Sequence, residues 1–393
     1  MTRRATKRGP ARTSLDGTRV DVLVCGASFA GLAVARELAG ARADVLVVDR
    51  YEIGERATSA CAAPTPWLHA MGVERSIRQE LPFMTFTTPH GGVRYRLPWS
   101  WAAFDYRELC ELLWEQCGEA RFETATVEGR GVDGAAANGG SSPPAEGLTV
   151  RTDRGTLHAR FVVDALGWKR VLASRHYQPP DAPLSRGLEV HPHVTGSDDA
   201  LDVWVERSIV RRGYGWRVPA GGEARVGVGS YDPRRQVKEP TVALARRLEV
   251  DPVRYQGNWF PHRLRPAAQD GVFYVGDSAG HCFALSGEGI RTALYFGIAC
   301  GRELGAALAG ERRPEEALRR YAAFSAAHAR AFGLALRLQR VIPALPPRML
   351  TLALRAMGSS QPLIDRSFGW YLDQAHPSFA QRPAIERPVP VVA

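Results

Sequence analysis

One turn limits what this chain can fold into more than any other feature. Gly26-Ala-Ser-Phe-Ala-Gly31 stands between a short apolar run, Val20-Asp-Val-Leu-Val-Cys25, and a stretch of good helix formers from Leu32 to Ala39. Asp44-Val-Leu-Val-Val-Asp49 then reads as a second buried strand. The order is that of a βαβ unit with a right-handed crossover. Glycines at such a turn permit a tight bend and close backbone approach, and the helix N-terminus behind them attracts a pyrophosphate. Asp49 ends the second strand, where it accepts from a ribose hydroxyl. Ser28 replaces the middle glycine of the usual pattern and fits by pointing away or by donating to phosphate. A tight turn without a ligand is the plainer alternative, but strand, turn, helix, strand and acid in this order favour a dinucleotide. Gly26, Ser28, Gly31, Asp49 and the adjacent Arg50 are the first cofactor-binding candidates.

A second glycine-bearing strand end lies far downstream. Val272-Phe-Tyr-Val-Gly-Asp277-Ser-Ala-Gly280 is followed by Leu285-Ser-Gly-Glu-Gly289-Ile-Arg-Thr-Ala, and a helix is expected from about 288 to 309. With both motifs in view, the chain resembles the FAD-dependent group A flavoprotein superfamily, with its para-hydroxybenzoate hydroxylase-like fold. The aromatic hydroxylases, geranylgeranyl reductases and flavin halogenases belong there. The resemblance implies that Asp277 holds the flavin ribityl chain. It also implies that the amides near Gly287, Gly289 and Ile290 face the flavin pyrimidine. The physics agrees, because a helix N-terminus stabilises negative charge on N1 of a reduced flavin. Arg107, in Phe104-Asp-Tyr-Arg-Glu-Leu, matches the family arginine that reaches the pyrophosphate or ribityl; a plain surface arginine is the alternative.

Two further segments resemble the geranylgeranyl reductase branch. Gly213-Tyr-Gly-Trp-Arg-Val-Pro219 followed by Val226-Gly-Val-Gly229 is similar to its Tyr-x-Trp-x-Phe-Pro stretch, with Val218 in place of Phe. Tyr214 and Trp216 share one face of a strand, as a pocket wall beside the flavin or as core. Cys61 matches a cysteine that reductases carry near the flavin, although Ala62 and Ala63 replace the glycines. It is a candidate proton donor to an alkene, with a buried inert thiol as the alternative. Cys61, Tyr214 and Trp216 are therefore the catalytic candidates.

The fold expectation is α/β: a discontinuous Rossmann-type FAD-binding domain, an antiparallel β-sheet substrate domain and a C-terminal helical region. Residues 1–19 read as a disordered basic tail. The FAD-binding domain takes 20–80, 101–175 and 265–310, the substrate domain a hairpin at 81–100 plus 176–264, and the helical region 311–393. Alternation in Leu188-Glu-Val-His, Leu201-Asp-Val-Trp-Val-Glu and Ala224-Arg-Val-Gly-Val-Gly predicts antiparallel strands with one wetted face. Residues 129–147, rich in Gly, Ala, Asn, Ser and Pro, read as a flexible loop.

Composition narrows the partners. The formal charge is +10, carried almost wholly by arginine, since the only lysines are Lys7, Lys169 and Lys238. No basic run is interleaved with aromatics, so nucleic acid is not an expected partner. Six scattered cysteines lack metal or CxxC spacing, and no apolar run suits a signal peptide or membrane span; a cytoplasmic setting is expected. The stretch 331–355 is amphipathic and basic. Packing on the FAD domain is its first expected use and peripheral membrane contact its second.

The leading functional expectation is an FAD-dependent reductase, fed by NAD(P)H or ferredoxin, that reduces a carbon–carbon double bond of an isoprenoid or other apolar or lipid substrate. A flavin monooxygenase is the alternative, although Asp164-Ala-Leu-Gly-Trp-Lys-Arg170 matches the hydroxylase Asp-Gly motif only in part. A halogenase needs a lysine near residues 55–80, and none lies between Lys7 and Lys169. A non-catalytic flavin-binding protein is the reading from another class. Oligomeric state is left open by the sequence.

Overall fold

A computed structural model describes residues 13–57, 59–131, 147–173, 184–194 and 198–381. The chain opens with β1 (Thr18–Cys25), α1 (Phe29–Glu37) and β2 (Val45–Asp49). A short β3 (Ala62–Pro64) and α2 (Thr65–Ala70) lead into a long hairpin of β4 (Ile77–Thr88) and β5 (Gly91–Phe104). Next comes α3 (Tyr106–Glu115), whose first turn is capped by Asp105: its Oδ1 accepts from the Glu108 amide at 3.0 Å. The first half ends with β6 (Arg121–Thr124), β7 (Val127–Arg130), β8 (Leu148–Thr152) and β9 (Gly155–Asp164).

The second half begins with β10 (Leu184–Val190), β11 (Ala200–Trp204), β12 (Gly213–Pro219) and β13 (Ala224–Ser230). It continues through α4 (Lys238–Arg247), β14 (Gln256–Pro261), β15 (Ala268–Gln269) and β16 (Val272–Tyr274). Five helices close the described chain: α5 (Ile290–Leu308), α6 (Pro314–Ala327), α7 (Ala329–Val341), α8 (Pro347–Gly358) and α9 (Gln361–Asp373).

These strands form two sheets. The first has the order β15-β16-β9-β1-β2-β6, with the β7–β8 hairpin joined to β9. Its centre is parallel: β1 pairs with β2 on one side and β9 on the other, and β16 adds beyond β9. Val22, Leu23, Val24, Leu46, Val47, Val162 and Val163 are fully buried, as a sheet covered on both faces requires. The carboxyl ends of β1, β2, β9 and β16 place Cys25, Asp49, Asp164 and Tyr274 at one edge, where open α/β sheets bind ligands. The second sheet runs β14-β10-β13-β12-β11-β4-β5-β3 and is antiparallel except where β11 meets β4.

Several expectations need correction. Residues 13–19 are ordered: the Leu15 amide donates to the Arg154 carbonyl at 2.8 Å, and β1 begins at Thr18. The hairpin spans 77–104 rather than 81–100, and β3 already belongs to the second sheet. The wetted face fails at β13, where all seven residues are buried. Helix α4 covers one side there, with Leu244 and Ala245 set against Val226 and Val228. The tail residues 1–12 and most of the expected loop, 132–146, lie outside the described residues.

Helices α1 and α5 pack against each other, and α5 also reaches β3 of the second sheet. A Cβ on Gly297 would stand 2.7 Å from the Ala30 carbonyl oxygen, and one on Gly301 would stand 2.9 Å from that of Val34. Glycine at these two positions lets the helix backbones touch, and the N-termini of α1 and α5 come together. Gly276 abuts Ala30 directly.

Candidate functional site

A cavity of about 860 Å³ opens where the two glycine-bearing strand ends converge. Ala27, Ser28, Phe29 and Ala30 line it from the first turn, and Gly276, Asp277, Gly287, Gly289 and Ile290 from the second. Asp49, Arg50, Tyr214 and Trp216 line it too. The structure thus brings together most of the residues singled out from the sequence.

Gly26 and Gly31 act behind the lining. Gly26 has φ +115°, and a Cβ there would lie 2.4 Å from the Ala165 carbonyl oxygen at the end of β9. A Cβ on Gly31 would lie 1.9 Å from the Gly26 carbonyl oxygen. No other residue type allows this turn to sit so close to β9. Ser28 turns its hydroxyl aside, where it accepts from the Tyr106 hydroxyl at 3.0 Å. Asp49 holds the turn: its Oδ2 accepts from the Ala27 amide at 2.8 Å and its Oδ1 from the Tyr51 amide at 3.1 Å. Burial pushes its pKa up, opposed by these amides and by Arg50. Arg50 is exposed, with its guanidinium 4.9 Å from the Tyr51 ring centroid.

Asp277 sits in the short 3-10 turn Gly276–Ala279. Its carboxylate accepts no hydrogen bond from the described residues, yet burial pushes its pKa up to about 6, with Arg265 opposing. A half-buried, unpartnered acceptor facing a cavity is poorly satisfied unless a ligand supplies donors. The hydroxyls of a ribityl chain are such donors. Gly289 lies beside it, because a Cβ there would stand 3.5 Å from Asp277 Oδ1 and from Cys282 Sγ. Behind Gly289 the first-turn amides of α5 face outward from the helix start. A tight glycine turn, an acid lacking donors and a helix N-terminus together fit FAD.

Beyond Gly26 and Gly31, two candidates fall outside the lining. Arg107 is exposed on α3, and its backbone stands against Gly54, where a Cβ would come within 2.8 Å of the Arg107 Cα. Tyr106, its neighbour, lines the cavity instead. Cys61 is placed as the buried-thiol alternative expects. It is buried behind Ala60 and Ala62, with φ +50°, and its thiol donates to the Ser59 carbonyl at 3.1 Å. Burial pushes that thiol up to about 12, so it is neither presented to the cavity nor a ready acid. The thiol that does line the cavity is Cys282, pushed well up by burial and by Asp277.

The loop from Leu285 to Glu288 is held by three tyrosines that no motif announced as a set. Tyr231 donates to the Leu285 carbonyl at 2.6 Å, and Tyr214 donates to the Ser286 carbonyl. Tyr371, from α9, shares a hydrogen bond with the Ser286 hydroxyl at 2.7 Å and donates to Glu288. Tyr214 is therefore a positioning residue, since its proton is engaged by a backbone carbonyl. Glu288 is paired with Arg291 at 2.7 and 2.9 Å, and Arg291 also donates to the Leu372 carbonyl at 2.6 Å. The C-terminal helices are thereby fastened to the start of α5.

Trp216 lies over glycines. A Cβ on Gly227 would come 2.3 Å from the indole, and one on Gly229 3.3 Å. This explains the Val-Gly-Val-Gly pattern of β13: it makes a groove for the ring. The indole nitrogen donates at 3.0 Å to Glu189, which also accepts from Gln256 at 2.6 Å and is hydrogen-bonded to His191 at 2.9 Å. Glu189 is buried, although its strand reads from the sequence as half-wetted.

The far end of the cavity is apolar. Met84, Phe86, Leu201 and Val203 line it from the second sheet, and Leu338, Ile342, Leu354 and Phe368 from the C-terminal helices. Tyr95 ties α8 to the hairpin by donating to the Leu354 carbonyl at 2.6 Å. Among the described residues, no cluster suited to a metal ion is present and no helix is long and apolar enough to cross a membrane.

Comparison with known proteins agrees with this geometry. The family described as DAO, FAD dependent oxidoreductase, matches residues 21–122. Digeranylgeranylglycerophospholipid reductase 1 of Methanothermobacter thermautotrophicus is 27% identical over 333 residues, covering 74% of this chain and 78% of that protein. The chloroplastic geranylgeranyl diphosphate reductase of Nicotiana tabacum is 32% identical over 134 residues. That match covers 32% of this chain and spans only 28% of the tobacco protein. A geranylgeranyl bacteriochlorophyll reductase-like protein of Thermoplasma acidophilum shares the fold with a TM-score of 0.78 at 16% identity, covering 92% of this chain and 98% of its own. The flavin-dependent brominase Bmp2 shares it with a TM-score of 0.62 at 14% identity, covering 91% of this chain and all of its own. Over residues 21–122 the chain thus matches an FAD-dependent oxidoreductase domain, and it is similar to the geranylgeranyl reductases.

Proposed function

We propose that this oxidoreductase reduces a carbon–carbon double bond in an isoprenoid or similar hydrocarbon-bearing substrate. One observation carries the reading: the end of the cavity beyond Trp216 is walled by aliphatic and aromatic side chains. No ionisable group stands among the described residues that line it from β4, β5, β11, α7 and α8. Such a wall favours a hydrocarbon over a charged or polyhydroxylated substrate.

Bound and reduced, FAD would supply both hydrogens, a hydride to one alkene carbon and a proton to the other, and be left oxidised; the residues bind and orient. Asp277 would hold the cofactor by accepting from its ribityl hydroxyls. The N-terminus of α5, held by Tyr214, Tyr231 and Tyr371, stabilises negative charge at the pyrimidine end. Trp216 is pinned by Glu189 and the β13 glycines, and it forms a flat wall against which an alkene is oriented. The apolar end excludes water from the reacting carbon.

The aromatic hydroxylase and halogenase readings find less support. Asp164 is spent on the Leu166 and Leu172 amides and the Ser278 hydroxyl, at 3.0, 2.9 and 2.7 Å. Arg170 is buried over the Tyr274 ring and donates to the Ser278 carbonyl at 2.7 Å. Lys169 lines the cavity, but beside Trp168 after β9 and not at the apolar end.

The test is anaerobic. The flavin is reduced with NADPH, a ferredoxin or dithionite and mixed with a geranylgeranyl substrate. Reoxidation with formation of the dihydro product is expected. Reoxidation and product only when oxygen is admitted would replace this reading with a monooxygenase.

A further inference from the structure

We infer that the face formed by α7, α8 and α9 docks on an anionic lipid bilayer beside the mouth of the cavity. Eight large hydrophobic residues are strongly exposed among those described, and six lie on these helices: Leu334, Val341, Met349, Leu352, Leu363 and Trp370. Leu352 is 64% exposed and Met349 57%. Single exposed apolar residues are ordinary; a concentration on one part of a fold marks an interaction surface.

Helical spacing orders them into stripes. On α7, Arg330, Leu334, Arg337 and Val341 follow one face. On α8 the stripe is Arg348, Leu352 and Arg355, with Met349 beside it. On α9 it is Leu363, Arg366 and Trp370. Each stripe alternates a large apolar group with arginine, and those of α7 and α8 contain no acid. On α9, Asp365 lies off the stripe, while the exposed Asp373 follows Trp370 at i+3 and ends it. Arg330, Arg337, Arg348 and Arg366 are exposed and make no ion pair among the described residues. By contrast, α6 carries Glu315 and Glu316 in its first turn, and none of the eight exposed hydrophobics lies on it.

Apolar side chains set among unneutralised arginines suit the headgroup boundary of a membrane that carries negative charge. Continuity with the cavity favours this occupant over a protein partner. Leu338, Leu354 and Trp370 lie on the same three helices and line the cavity, and Trp370 is also 43% exposed. A surface resting on lipid would put the apolar end of the cavity next to the phase in which long hydrocarbons reside. The inference stands apart from the reaction proposed above, because its readout needs no turnover.

The test is co-sedimentation of the full flavin-loaded chain with vesicles. One set is pure phosphatidylcholine and the other contains about 30% phosphatidylglycerol. Two double variants, M349S/L352S and R337E/R348E, change residues outside the cavity lining. The wild type is expected to pellet with the anionic vesicles and stay in solution with the neutral ones. Each double variant is expected to lower partitioning about tenfold or more, with flavin spectrum and melting temperature unchanged. A wild type that stays in solution with anionic vesicles overturns the inference, and so does equal partitioning of the variants. A stable dimer that M349S/L352S converts to monomer also overturns it, because a second copy would then cover this face.

Discussion

Gly297 of α5 touches Ala30 of α1 so closely that a Cβ at 297 would stand 2.7 Å from the Ala30 carbonyl oxygen. This contact joins two motifs that are far apart in the chain, because each helix starts at one of the cavity's glycine-bearing turns. Gly297→Leu would force the helices apart. We expect a loss of about 2 kcal/mol or more in stability and a clear weakening of FAD retention. Urea unfolding and flavin content after gel filtration check it; a stable variant with full flavin content would show that the contact does not position the site.

Tyr214 ties β12 to the flavin-facing loop through the Ser286 carbonyl. Tyr214→Phe removes that donor and keeps the ring. The predicted outcome is a loss of about 1 kcal/mol and weaker FAD binding by several fold, with measurable turnover retained. Abolished turnover with FAD affinity intact would make the hydroxyl a catalytic group.

Much of this was legible in the sequence. The first turn declared itself because strand, glycines, helix and acid follow in fixed order, whereas Asp277 was picked out by the resemblance of its Gly-Asp strand end to the flavoprotein motif. For Cys61 the sequence left a proton donor and a buried inert thiol both open, and the structure places the thiol outside the cavity, bonded to Ser59. Glu189 and the tyrosine set were not legible. Their partners, Trp216, Gln256, Leu285 and Ser286, come from segments brought near only by the fold. Alternation along β13 suggested a wet face because a strand cannot show that α4 covers it.

The placement of Cys61 is directly testable. Cys61→Ser should leave turnover within about twofold of wild type, because the thiol lies outside the cavity and conservative replacement of a buried cysteine acts through packing. Steady-state rates would reveal the error as a fall of several orders of magnitude.

Asp277 gives a pH signature. Its pKa in the folded chain without bound FAD is raised to about 6 by burial. A raised carboxyl pKa contributes stability that is full below the unfolded value and is lost as pH rises through about 6. FAD hydroxyls prefer the ionised carboxylate, so binding releases a proton and FAD affinity rises with pH across this window. Titration calorimetry in buffers of different ionisation enthalpy should show proton release near pH 6 in the wild type and none in Asp277→Asn. Equal behaviour of the two would remove Asp277 from the cofactor site.

The central claim is that the turn at Gly26 and the acid at Asp277 hold one FAD between them. Its most direct measurement is the visible spectrum and released-cofactor stoichiometry of the purified, FAD-reconstituted chain, beside Asp277→Ala. The account predicts about one FAD per wild-type chain and a loss of at least tenfold in affinity for the variant. A wild-type chain that takes up no flavin, or a variant that binds it equally well, would contradict it.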